Sequence, residues 1–214
     1  MHNRNIFGAF IARMLLALAS AVAMLPVAAA PVVYQNTDTD TLQSVFFSTG
    51  PYSQIGDAVQ LVSPGALVGI ETQFFNAGTD ASFDAELRLY TAGATPSQIG
   101  GAFLVSGLSI ASGDVLNVAF ANLGGLVVPD AILVMFSVRN VSADGDIGLN
   151  FFDPPLVGLS DKGFFMVDDG TGIAQATTLS DVDNLYLRIT AVPEPGSLAL
   201  VLLPLAALAW SRRR

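Results

Sequence analysis

The sequence has no cysteine, and its one histidine is His2. Without cysteine no disulfide can staple the chain, so an apolar core alone must hold any folded part together. A Ser-His-Asp or Cys-His triad cannot be assembled in the body, which also lacks the commonest general base. A zinc site drawn from His and Cys is excluded as well. Basic residues are scarce too. Between Pro31 and Thr190 stand only Arg88, Arg139, Lys162 and Arg188 against 17 acids (the full 18 less Glu194), a net charge of −13. Such a surface repels phosphate backbones, so no nucleic-acid partner is expected, whereas cations would be attracted.

What is present at the ends reads as targeting. His2, Arg4 and Arg13 make a basic start, Met14 to Leu25 is apolar, and Val27-Ala28-Ala29-Ala30 offers small residues for cleavage. That is the layout of a secretory signal peptide, and cleavage after Ala29 avoids placing Pro31 directly behind the cut. At the other end, Val192-Pro193-Glu194-Pro195 precedes an uncharged run from Gly196 to Trp210 and then Ser211-Arg212-Arg213-Arg214. Two prolines two apart stop both helix and sheet, so a folded domain should end before Pro193. Trp210 stands where an interfacial aromatic would, and Arg212, Arg213 and Arg214 form a stop-transfer cluster that favours the cytoplasmic side.

This ordered tail resembles the PEP-CTERM class of exported bacterial proteins, whose signal joins a Pro-Glu-Pro triplet, a short hydrophobic helix and a basic end. The resemblance covers about the last two dozen residues, with Pro193, Glu194 and Pro195 as its sorting motif. It implies sorting by an exosortase-type membrane enzyme and association with extracellular polysaccharide, and nothing about the folded domain. Gly196 to Trp210 is 15 residues, about 22 Å as a helix against about 30 Å of hydrocarbon. Pro204 weakens it further. The expected result is a transient membrane attachment that is then processed.

Three parts follow: a signal peptide at 1–29, a domain at 30–191 and a sorting segment at 192–214. The domain reads as all-β. From Ala81 to Thr91, Phe83, Ala85, Leu87 and Leu89 point one way and Asp84, Glu86, Arg88 and Tyr90 the other, the alternation of a half-buried antiparallel strand. Leu185 to Val192 repeats it, Val115 to Phe120 alternates less cleanly, and Ala131 to Val138 is apolar on both faces, as in a central strand. Further strands are expected within Gln54–Val62, Leu67–Phe75, Ala102–Val105, Ile147–Phe152 and Gly163–Val167. Turns such as Ser63-Pro64-Gly65 and Ser112-Gly113-Asp114 separate them. Short strands at this spacing predict an antiparallel β-sandwich, with a jelly-roll connection compatible but not derivable.

Candidate sites in the body are few. Glu71 and Glu86 could form the carboxylate pair of a glycoside hydrolase, although Glu86 alternates with charged residues on what reads as a solvated face. Ser160-Asp161-Lys162 reads as a polar loop before it reads as a nucleophile pair. For calcium the best candidate is Asp144 with Asp146, flanking Gly145 before a strand; Asp38 with Asp40, Asp168 with Asp169 and Asp181 with Asp183 are weaker. Phe46-Phe47, Phe74-Phe75, Phe151-Phe152 and Phe164-Phe165 are doublets whose second ring must leave the main core, either to be covered locally or to form a patch for a partner. The sequence therefore predicts a non-catalytic exported protein, structural or adhesive within extracellular polysaccharide. The alternatives are a carbohydrate- or calcium-dependent binding module, then a secreted hydrolase using carboxylates only.

Overall fold

The computed structural model describes residues 29–48, 52–93, 96–142, 144–168, 175–177 and 184–192. The expected signal peptide, apart from Ala29, and the sorting segment, apart from Val192, lie outside them. Among the described residues all regular structure is strand. The strands are β1 (Val32–Asn36), β2 (Asp40–Phe46), β3 (Tyr52–Gln60), β4 (Gly65–Asn76), β5 (Ala81–Thr91), β6 (Gln98–Ile110) and β7 (Val115–Ala121). After these come β8 (Val127–Val128), β9 (Ala131–Arg139), β10 (Ile147–Phe152), β11 (Leu159–Asp168), β12 (Gln175–Thr177), β13 (Asn184–Leu185) and β14 (Leu187–Val192).

They form two antiparallel sheets. The first is built on β4, with β7 and β8 along one edge and β14 and β10 sharing the other. β1 lies outside β14 and β2 outside β10, while β13 joins β10 next to the end of β4. Tyr186 makes the step from β13 to β14: its N–H donates to the Asn150 carbonyl (3.0 Å) and its carbonyl accepts from Thr72 Oγ1 (3.0 Å). The second sheet runs β12-β11-β3-β9-β5-β6.

The alternation expected for β5 is observed, with Phe83, Ala85, Leu87 and Leu89 all buried against the other sheet. β9 is covered on both faces from Ile132 to Ser137, as its unbroken apolar run predicts for a strand between two others. Aromatic rings bridge the sheets. Phe74 of the first sheet packs edge-on to Phe83 and Phe136 of the second, at 5.3 and 6.3 Å between ring centres, and Phe120 meets Phe136 at 5.9 Å. These rings contribute most per residue to a core that has no disulfide to help it.

β1, β2, β8 and β12 were not expected. The stretch Asn36-Thr-Asp-Thr-Asp-Thr-Leu-Gln43 is polar enough to read as a loop. It nevertheless contributes to strands because β14 and β10 offer it ladder partners, and tertiary pairing overrides local preference.

Candidate functional site

The outer face of the second sheet carries a cluster of which the sequence shows the Glu86–Arg88 side as a salt-bridge face, but not the second arginine or the burial. Glu86 projects away from the core, yet only 5% of it is exposed. Its carboxylate is enclosed by two arginines: Arg88 Nε stands 2.6 Å from Oε1 and Arg139 Nη2 stands 2.7 Å from Oε2. Arg88 follows on the same face two residues along β5. Arg139 comes from β9, where Ser137 is the residue opposite Glu86, so the pair is a diagonal one across the ladder. The Glu86 carboxylate holds the Arg88 guanidinium above its ordinary range despite partial desolvation, with Tyr90 adding to the shift. Tyr90 Oη in turn donates to Gln54 Oε1 on β3 (3.2 Å).

These groups wall a cleft of about 580 Å³. Ser53, Gln54, Ser137 and the two arginines supply its polar side, and Phe47, Val141 and Ile147 its apolar side. The Arg139 side chain remains 55% exposed, so guanidinium hydrogens beyond the one on Glu86 face solvent. A planar donor fork held in place by a buried carboxylate suits a planar anionic group such as another carboxylate.

The chain has no match among protein-family models, curated proteins or solved structures. The site is therefore read from its own chemistry. Glu71 and Glu86 are not brought together: Glu71 lies on the outer face of the first sheet, where it accepts from Tyr186 Oη (3.4 Å), and Glu86 on the outer face of the second. The core separates them, which leaves no room for a shared glycosidic bond between the two carboxyls. Ser160 spends its hydroxyl on Asp57 Oδ1 (2.9 Å) and the Ala58 carbonyl (3.0 Å); the Lys162 side chain lies outside the described residues.

Asp144 is exposed, and its carbonyl accepts from Thr79 N–H (3.1 Å). Asp146 accepts at Oδ1 from the Ser48 hydroxyl, at the rim of the cleft, and its N–H donates to Asn76 Oδ1 (3.2 Å). Among the described residues no group of three or more His, Cys, Asp or Glu side chains gathers around either aspartate or elsewhere. Asp169, Asp181, Asp183 and the Pro193–Pro195 and Arg212–Arg214 motifs fall outside the described residues, as does the side chain of Asp168.

Two of the phenylalanine doublets split between the core and ring pairs across strands; the side chains of Phe164 and Phe165 lie outside the described residues. Phe74 and Phe151 enter the core. Their neighbours meet other rings on the outer face of the first sheet: Phe75 packs on Phe46 (6.0 Å) and Phe152 edge-on to Tyr186 (4.9 Å). Gly148 makes this possible, since a Cβ there would stand 2.7 Å from the Phe46 ring. Between the two ring pairs runs a ladder of side-chain hydrogen bonds across four strands. Ser44 donates to Asn150 (2.6 Å), Asn150 to Gln73 (2.8 Å) and Gln73 to Asn117 (3.0 Å).

Proposed function

We propose that this chain is a non-catalytic adhesive module, exported and sorted to the cell envelope, which grips acidic polysaccharide through the Arg88–Arg139 cleft. One observation carries the reading. In a body of net charge −13 with four bases, two of the four converge on one cleft and are anchored there by a single buried carboxylate. A uronic-acid carboxylate would meet the free edge of the Arg139 fork, and its ring would lie against Phe47 and Val141. The surrounding negative charge disfavours nucleic acid and keeps the contact local.

The rest of the reading concerns location. The tail implies an exosortase-type processing enzyme and a passing membrane attachment, and β14 runs to Val192, immediately before Pro193. The chain crosses between the sheets after β2, β3, β4, β6, β8, β9, β10 and β12, which supports a jelly-roll-like sandwich. Among the described residues no helix is long and apolar enough to cross a membrane.

A panel of acidic and neutral glycans tests the function. Binding to uronate-rich polysaccharide that weakens about tenfold or more in Arg139→Ala is the expected outcome. Failure to bind any acidic glycan would sink the proposal. Binding confined to neutral glycans, lost in Asn150→Ala, would move the site to the aromatic-flanked amide ladder of the first sheet. For sorting, mass spectrometry of surface protein should find a C-terminus between Pro193 and Gly196; intact Arg214 would reject processing.

A further inference from the structure

A group of buried polar side chains lies where β1, β3, β10 and β13 meet. There Tyr34, Asn36, Asp57 and Asn184 are all at most 1% exposed. Asp57 falls in the apolar row of β3, between Ile55 and Val59. Its Oδ1 accepts from Ser160 Oγ (2.9 Å) and its Oδ2 from Leu185 N–H (3.1 Å). Asn36 Nδ2 donates to the carbonyls of Leu185 (3.1 Å) and Phe152 (2.7 Å). Asn184 Nδ2 donates to Asp153 Oδ1 (2.9 Å). Leu185 thus links Asn36 to Asp57, and the step from Phe152 to Asp153 links Asn36 to Asn184.

Three oxygens in this cluster have no hydrogen-bond partner: Asn36 Oδ1, Asn184 Oδ1 and Tyr34 Oη. Neither amide can be turned over to cure this. A flipped Asn36 would set its oxygen against two carbonyls, and a flipped Asn184 would set it against a carboxylate. One orphaned buried oxygen costs about 1–3 kcal/mol. The two amide oxygens, which can only accept, ask for a ligand that satisfies oxygens.

Every donor in the set is oxygen, two are carboxylates and two are amide carbonyls. That is the chemistry of a hard divalent cation, and calcium tolerates an irregular cage of protein oxygens where magnesium demands an octahedron and keeps its waters. We propose that Asp57, Asp153, Asn36 and Asn184 hold a calcium ion between the sheets at this end of the sandwich, with a structural role. The site is separate from Asp144 and Asp146.

The test uses the full-length protein stripped with chelator, then titrated with calcium by calorimetry and followed by thermal unfolding. Saturating calcium is expected to raise Tm by about 5–10 °C. Terbium replacing calcium should show luminescence sensitised by tyrosine. Asp153→Asn and Asn184→Ala should each weaken binding about tenfold or more, while Asp144→Ala with Asp146→Ala leaves it unchanged. Should Asn184→Ala not fold, the near-isosteric Asp153→Asn decides alone. Absence of heat and of any Tm shift at millimolar calcium overturns the proposal. So does binding that survives Asp153→Asn, and so does an equal or larger response to magnesium.

Discussion

Glu86 and Arg139 meet at 2.7 Å although 53 positions separate them in the chain. The contact exists because β5 and β9 pair with Glu86 opposite Ser137, which brings Arg139 within diagonal reach. Arg88 takes the other oxygen of the same carboxylate. One acid therefore orients both arginines of the cleft.

Replacing that acid should loosen the whole cluster. Glu86→Gln keeps the shape but leaves two guanidinium groups facing a neutral amide in a nearly closed setting. The expected loss is about 1–3 kcal/mol, discounted to the lower half of that range because both arginines are partly exposed. Thermal unfolding should then show a Tm about 3–6 °C lower. An unchanged Tm would mean that Glu86 merely fills space.

Acid should weaken the fold partly through Asp84. The Gly107 N–H (2.8 Å) and then Asn140 Nδ2 (2.6 Å) donate to its carboxylate, and these bonds lower its pKa below the ordinary aspartate value. A depressed folded-state pKa stabilises above the unfolded value of about 4 and loses that effect as pH falls through the folded one. Asp84→Asn should therefore lower Tm at pH 7, with the gap to the parent protein closing as pH falls below the unfolded value of about 4. A gap that stays the same size well into acid would remove Asp84 as the source.

Gly56 should tolerate no side chain. On β3 it lies opposite Met135, and a Cβ there would collide with the Val134 carbonyl oxygen and the Met135 sulfur. Because the first obstacle is backbone in a central strand, it cannot swing aside. Gly56→Ala should cost about 3 kcal/mol or prevent folding. Gly101, whose Cβ would meet nothing within 4 Å, serves as the control, and Gly101→Ala should leave Tm within about 2 °C. Equal effects of the two substitutions would refute the packing argument.

Much of the sandwich was legible. β5 could be read from its alternation and β9 from its apolar run, since successive Cβ atoms of a strand point to opposite faces. The polar stretch from Asn36 into β2 was not legible as strand, because the strand character of β2 comes from its pairing with β10. Asp57 left a signal that went unread: the same period of two places it in phase with Ile55 and Val59, an acid on a core face. For Glu86 the alternation with Asp84 and Arg88 reads as a salt-bridge face but not as a buried one, because the second arginine arrives from elsewhere in the chain.

Composition and local period, then, determined the class of fold, the inward faces of the longest strands, the lack of histidine and cysteine chemistry, and the acidic surface. These follow from neighbours along the chain, where covalent geometry sets direction. The arginine cleft, the separation of Glu71 from Glu86 and the buried oxygen cluster were decided only by tertiary structure. Hydrogen bonds and ion pairs act over about 3 Å. Which groups come that close depends on the register between strands that lie far apart in sequence.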